Sequence, residues 1–273
     1  MNFRARQFNF EFPRPAIVMG ILNITPDSFY DGGYYQSVSD ILARAMQMVK
    51  EGAEIIDLGA ESTRPGATEL TADQEWERLQ PVILELAKCI SVPLSVDTRN
   101  PNVAQLALET GASIINDTKS RRPENDMLEI IARYKAGYIM MHSSNQVADK
   151  DLLSSIALFF ELMMPRCKNM GIAKEQIVID PGIGFGKTPE QNIRIIQNLN
   201  LYTDKEFPLL LGASRKSFMQ GLPHGETPQS RLGGSIATAC FAVENGANII
   251  RAHDVKETIQ AIRMIELLRK KTL

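Results

Sequence analysis

The chain has 273 residues, 44% of them hydrophobic and 23% charged, and its formal net charge is −2. That balance excludes a nucleic-acid binder that relies on bulk positive charge, and no apolar run approaches the roughly 20 residues a membrane-spanning helix needs. Cys89, Cys167 and Cys240 are far apart and odd in number, so neither a disulfide framework nor a zinc site is expected. Reduced thiols in a cytosolic protein are the simplest reading. Residues 1–15 carry charges and prolines and lack the apolar core of a secretion signal.

Short apolar runs alternate with amphipathic segments from end to end. Residues 16–23 read as a first strand, followed by a helix over 38–51 that Gly52 can stop. A strand over 54–58 and a helix over 72–88 come next, then a strand over 93–97 and a helix over 101–110 ended by Gly111. The fourth strand, 113–116, leads to a helix through Tyr134, and the fifth, 138–142, to a helix over about 151–169. Strands over 177–180, 209–212 and 248–252 alternate with helices over 189–199, 231–244 and 255–270. Eight strand–helix units are the count of a (β/α)8 TIM barrel; an open doubly wound sheet is the rival architecture. No composition break or low-complexity linker marks a boundary, so residues 1–273 are expected to form a single domain.

The strands are apolar on both faces, as parallel strands covered by helices must be. Their polar residues cluster elsewhere: Asn23, Asp57, Asp97, Asn116, His142, Asp180, Ser214 and Arg251 lie at or just beyond C-terminal strand ends. An Asp after a strand is usually a helix N-cap, but capping alone does not produce so many polar ends on one rim. In a barrel that rim is where catalytic groups sit.

The segments 211–217 (LGASRKS) and 250–254 (IRAHD) bring Lys216, Arg251 and His253 to the tips of the last two strands. Barrel phosphate sites form there, and if Lys216 opens a helix, backbone N–H groups add to anion binding. Asp97, Asn116 and Asp180 offer carboxylates and an amide from three strands, which suit the N–H edge of a nitrogen-rich heterocycle. A metal cage would want more carboxylates or histidines together. The glycine-rich run 180–188 (DPGIGFGKT) lacks Walker A spacing; its glycines permit close backbone approach to a flat ligand and free Phe185 to cover a pocket. The long loop 23–33, with Phe29 and Tyr30, is either a solvated surface loop or a lid. Arg64, on the Pro-Gly loop 61–66, is either a surface charge or a bidentate diphosphate contact.

Seven segments in order match one family. They are 19–33 (MGILNITPDSFYDGG), 52–66 (GAEIIDLGAESTRPG), 92–98 (VPLSVDT), 111–117 (GASIIND), 179–188 (IDPGIGFGKT), 212–218 (GASRKSF) and 249–255 (IIRAHDV). Along nearly its full length the chain resembles dihydropteroate synthase. The resemblance implies one TIM barrel, a transferase of folate biosynthesis joining p-aminobenzoate to 6-hydroxymethyl-7,8-dihydropterin diphosphate. By the family pattern Asp97, Asn116, Asp180 and Lys216 hold the pterin, with Met141 against its ring. Asn23 binds Mg2+ and the diphosphate, and Arg64, Ser217, Arg251 and His253 bind the diphosphate. Thr63, Pro65, Phe185, Ser214 and Lys216 frame the p-aminobenzoate pocket, with Phe29 and Asp31 brought in on the first loop. Asn23, Asp97, Lys216, Arg251 and His253 are the residues expected to carry the chemistry. A cytoplasmic homodimer is implied as well.

Two stretches depart from the family's usual pattern, 118–123 (TKSRRP) and 143–149 (SSNQVAD), which bears on loop conformation and leaves the ligand positions intact. The alternative function is a pterin-binding methyltransferase domain passing a methyl group from methyltetrahydrofolate to a corrinoid protein. It shares the Asp/Asn recognition but has no need for the Lys216, Arg251 and His253 anion site.

Overall fold

The computed structural model describes residues 1–24, 37–60, 70–118, 125–143, 151–203 and 206–269. The chain opens with a hairpin, β1 (Asn2–Ala5) and β2 (Phe8–Glu11), and then alternates strand and helix. The order is β3 (Ile17–Asn23), α1 (Val38–Glu51), β4 (Ile55–Gly59), α2 (Ala72–Cys89), β5 (Leu94–Asp97), α3 (Pro101–Thr110), β6 (Ile114–Asp117) and α4 (Asn125–Tyr134). It continues through β7 (Gly137–Met141), α5 (Leu152–Asn169), β8 (Ile177–Asp180), α6 (Pro189–Gln197), α7 (Asn200–Thr203), β9 (Leu210–Leu211), α8 (Leu232–Glu244), β10 (Ile249–Ala252) and α9 (Val255–Arg269).

Eight parallel strands run in the order β8-β7-β6-β5-β4-β3-β10-β9. A parallel bridge between Ile179 and Leu209 brings the two outer strands together, so the sheet is a nearly closed barrel rather than an open doubly wound one. Helix boundaries follow local chemistry. Ser37 caps α1 by accepting from the Asp40 amide, and Gly52 ends that helix at φ 108, which an L side chain resists. Capping boxes start α2 (Thr71 with Gln74) and α6 (Thr188 with Gln191). Asn100 and Pro101 start α3.

Three departures from the sequence expectations have physical causes. The helix expected over 189–199 stops at Gln197, where Asn198 turns out of helical geometry, and a separate short turn α7 follows. Lys216 does not open a helix: it precedes a three-residue 3-10 turn, Ser217–Met219, and α8 begins 16 residues later, at Leu232. A turn that short lacks the aligned peptides that make a helix N-terminus an anion site.

The third departure is the hairpin. Its sequence, NFRARQFNFEF, alternates apolar and polar residues, with Arg6 at φ 55 in the turn. Phe3, Ala5, Phe10 and Phe12 join Ile17, Met19, Ile55, Ile114, Ile139, Val178, Leu210 and Ile249 in one buried cluster. Those partners are side chains from the barrel strands, most of them at or near the N-terminal ends, so the hairpin stoppers the end of the barrel opposite the polar rim. Gly137 makes room for it: a Cβ there would lie 2.7 Å from the Phe3 ring. Arg6 pins the turn by donating to the Leu108 and Ala112 carbonyls, both at 2.9 Å.

Candidate active site

Strand register decides which polar ends meet. Asp57 pairs with Ser95, Asp97 with Asn116, and Met141 with Asp180 across neighbouring strands. Arg251, on β10, reaches across to the acidic wall. Its Nε donates to Asp57 Oδ2 at 2.6 Å and its Nη2 to Asp97 Oδ2 at 2.9 Å. Asn116 Nδ2 also donates to Asp57 Oδ2, at 3.3 Å, and the Thr118 hydroxyl to Asp97 Oδ1, at 3.2 Å. Burial pushes the Asp97 carboxyl up to about 6, and Asp57 adds to that push, while Arg251, Thr118 and Lys216 pull the other way. Burial works against the Arg251 cation too, yet Asp57 and Asp97 outweigh it and hold its proton more tightly than usual.

The opposite wall is the end of β8 with its glycine-rich loop. Asp180 is buried, and its Oδ1 accepts from the Gly182 amide at 2.7 Å. Burial raises the Asp180 carboxyl, opposed by Lys216 and by the Gly182 bond. Gly182 has φ 72, and a Cβ there would fall 1.9 Å from the His142 carbonyl oxygen. Only glycine permits this close crossing of two backbones. Lys187 holds the loop from within: its Nζ donates to the carbonyls of His142 (3.0 Å), Gly182 (2.7 Å) and Phe185 (3.3 Å). Asn192, from α6, accepts from the Gly184 amide at 2.7 Å.

Lys216 lies across this loop. Its Nζ donates to the Ile183 carbonyl and sits 4.4 Å from the centroid of the Phe185 ring, a cation–π contact. Burial lowers its pKa to about 7, with Asp180 the main opposing influence. Ser214 and His253 bridge the last two strand ends: His253 Nδ1 and Ser214 Oγ are 3.0 Å apart, and the His253 amide donates to the same hydroxyl at 3.2 Å. Arg215 is drawn away from the site at φ 58 by its ion pair with Asp254, with Nε 2.9 Å from Oδ2. Ser217 is exposed just beyond Lys216, and Asn23 is exposed at the end of β3.

The expected residues Asp97, Asn116, Met141, Asp180, Lys216, Phe185, Ser214, Arg251 and His253 therefore gather at one mouth, with Asn23 and Ser217 on its rim. Phe29, Asp31, Thr63, Arg64 and Pro65 lie outside the described residues, as does most of both stretches that depart from the family pattern. His142, one of the polar strand ends, is buried and packs edge-on against Phe159 of α5, with ring centroids 5.3 Å apart, so it faces the helix layer. Lys187 and Asn192 carry no mark of this role in the sequence, although Lys187 lies inside the glycine-rich run. In the sequence Asp57 stands only as one polar strand end among eight. Among the described residues no group of three or more His, Cys, Asp or Glu side chains is arranged to hold a metal ion.

Residues 19–253 match the family model described as pterin binding enzyme. The chain is 40% identical over 266 residues to the dihydropteroate synthase of Synechocystis sp., covering 95% of this chain and 92% of that one. It is 43% identical over 256 residues to that of Escherichia coli K12, with 91% and 90% covered. A Yersinia pestis dihydropteroate synthase solved with a sulfonamide drug superposes with TM-score 0.91 at 41% identity, covering 98% of this chain and 99% of that one. A Xanthomonas albilineans dihydropteroate synthase solved with 4-aminobenzoic acid gives TM-score 0.91 at 34% identity, with 99% of each chain covered.

Proposed function

The chain belongs to the dihydropteroate synthase family of pterin-binding enzymes, and from that membership we propose how its own residues carry the reaction. The activity is the condensation of p-aminobenzoate with 6-hydroxymethyl-7,8-dihydropterin diphosphate, giving 7,8-dihydropteroate and diphosphate in folate biosynthesis. Asp97, Asn116 and Asp180 grip the donor and acceptor edge of the pterin, with Met141 against the ring and Lys216 closing the pocket. Arg251, His253 and Ser217 receive the diphosphate, together with Arg64. Ser214, Phe185, Thr63 and Pro65 frame the p-aminobenzoate, with Phe29 and Asp31 on the first loop.

The carrying observation is the 2.9 Å contact between Arg251 Nη2 and Asp97 Oδ2. It sets the cation for the leaving group directly beside the carboxylate for the heterocycle, as a pterin with a diphosphate on its methylene requires. As the methylene C–O bond breaks, the electron pair leaves with the diphosphate. Arg251 and His253 stabilise that growing charge, and the electron-rich pterin stabilises the carbon left behind. The amine of p-aminobenzoate, positioned over that carbon, forms the C–N bond and then gives up a proton. No protein nucleophile takes part.

Mg2+ fits the donors at hand. It keeps several waters and takes one or two protein oxygens plus substrate phosphate oxygens. Asn23 offers one amide oxygen at the rim, which suits an ion held mainly by the diphosphate. When bound it neutralises phosphate charge. The family membership supports a cytoplasmic enzyme of one pterin-binding domain that pairs as a homodimer; separately, no helix among the described residues is long and apolar enough to cross a membrane.

Incubating the protein with both substrates and following diphosphate release tests the activity. Release that needs p-aminobenzoate is expected; methyl transfer from methyltetrahydrofolate with no diphosphate released would favour the methyltransferase reading. Calorimetry of Asp180→Asn with a pterin should show lost binding, and unchanged affinity would remove Asp180 from the site.

A further inference from the structure

We propose that Asp57 is a positioning residue for Arg251, holding the guanidinium by its Nε while Asp97 is engaged by the pterin. The proposal rests on the reading above, in which Arg251 faces the diphosphate and Asp97 the heterocycle. Asp57 is fully buried on β4, beside Ser95 and two residues before Gly59, the residue that pairs with Asp97. It sits a layer deeper than the pterin grips.

A guanidinium has five N–H donors in a rigid plane. Here the Nε–H goes to Asp57 Oδ2 at 2.6 Å and one Nη2–H to Asp97 Oδ2 at 2.9 Å. The pterin edge competes for the oxygens of Asp97, so the Nη2 bond is the one that ligand binding weakens. The Nε bond points inward, away from the ligand, and fixes the plane of the fork. Once the pterin takes Asp97, the Nη2 donor is released to the departing oxygens while the Nε anchor keeps the fork in place. Asp57 Oδ2 also accepts from Asn116 Nδ2 at 3.3 Å, so one buried oxygen ties the leaving-group cation to a pterin grip. Among the described residues Asp57 Oδ1, Asn116 Oδ1 and Ser95 Oγ are buried without hydrogen-bond partners, which leaves a polar floor under the ligand.

Breaking this anchor misaims the cation without touching the p-aminobenzoate pocket. In Asp57→Asn the kcat for diphosphate release is expected to fall by roughly 10- to 100-fold, with KM for p-aminobenzoate unchanged. In an Arg251→Lys background, which lacks the Nε donor, the same substitution is expected to cost less than about threefold, because the two changes remove one interaction. Equal losses in the two backgrounds, or a wild-type kcat for Asp57→Asn, would overturn the proposal. If Asp57→Asn does not fold, 15N spectra of the wild-type enzyme decide. The Arg251 Nε–H signal, assigned by its loss in Arg251→Lys, should stay protected from exchange when 6-hydroxymethylpterin is bound; its loss on binding would overturn the proposal. Wild-type protein without diphosphate release would instead defeat the reading of the site.

Discussion

Lys216 and Phe185 meet face to cation, with Nζ 4.4 Å from the ring centroid, and the contact lays the lysine across the glycine-rich loop. Burial lowers the Lys216 pKa to about 7 from its ordinary 10.5. Between those values the unfolded chain binds more protons at this site than the folded one, so the contribution to stability rises with pH across the window. Lys216→Met removes it. The melting temperature of the wild type minus that of Lys216→Met should therefore increase from pH 7 to pH 9, and a flat difference would mean that the lysine is not held in a desolvated site.

Gly182→Ala should disable the loop. The position has φ 72, and the new Cβ would collide with the His142 carbonyl. Backbone strain alone costs on the order of 1–3 kcal/mol, before the displacement of the Asp180 contact to the Gly182 amide. We expect a lower melting temperature together with lost pterin binding by calorimetry. Normal binding would show that the crossing of these two backbones is dispensable.

Lys187→Met removes an ammonium that joins three carbonyls from two loops. Hydrogen bonds from a charged donor are worth about 1.5–3 kcal/mol each in mutational series, and the burial of the cation, which lowers its pKa to about 8, offsets part of that. A net loss of about 2 kcal/mol in chemical denaturation is expected. KM for p-aminobenzoate should rise with it, because the Phe185 carbonyl is one of the three. A stability loss with unchanged KM would confine Lys187 to the scaffold.

Arg251→Ala should lower turnover by at least about a hundredfold and also weaken the fold, since it leaves Asp57 and Asp97 facing each other without a cation. Breaking a buried pair from one side costs roughly 3–5 kcal/mol. Asp97, already pushed to about 6, should rise further, so its carboxylate form is regained as the pH rises. Pterin affinity of the variant should accordingly increase from pH 6 to pH 8 more steeply than that of the wild type, measured by calorimetry.

Much of this was legible in the sequence because strand ends announce themselves: an apolar run that stops at Asp97, Asn116 or Asp180 places the polar group on the rim whatever the tertiary detail. Helix stops such as Gly52 and Gly111 likewise act locally and can be read locally. Pairing cannot. That Arg251 would reach Asp57 as well as Asp97 depends on barrel closure, which sets residues 194 positions apart at 2.6 Å. Lys187 was hidden because its partners are backbone carbonyls, which carry no signature in side-chain type. The hairpin was hidden for another reason: its alternation of Phe with polar residues was there to be read, but its apolar face is completed by eight barrel side chains contributed from all along the chain.

Among the described residues the joint between β8 and β9 rests on one bridge, Ile179 to Leu209, with the Ile179 amide donating to the Pro208 carbonyl at 3.0 Å. β9 itself is two residues long. Asp180 stands on one side of that joint and Lys216 on the other, so a pterin held by both acts as a clasp on a hoop. Occupancy and hoop integrity are thereby linked. Amide exchange at Leu209 to Leu211 should slow when a pterin binds, and the enzyme's resistance to heat should grow with ligand concentration through this seam first.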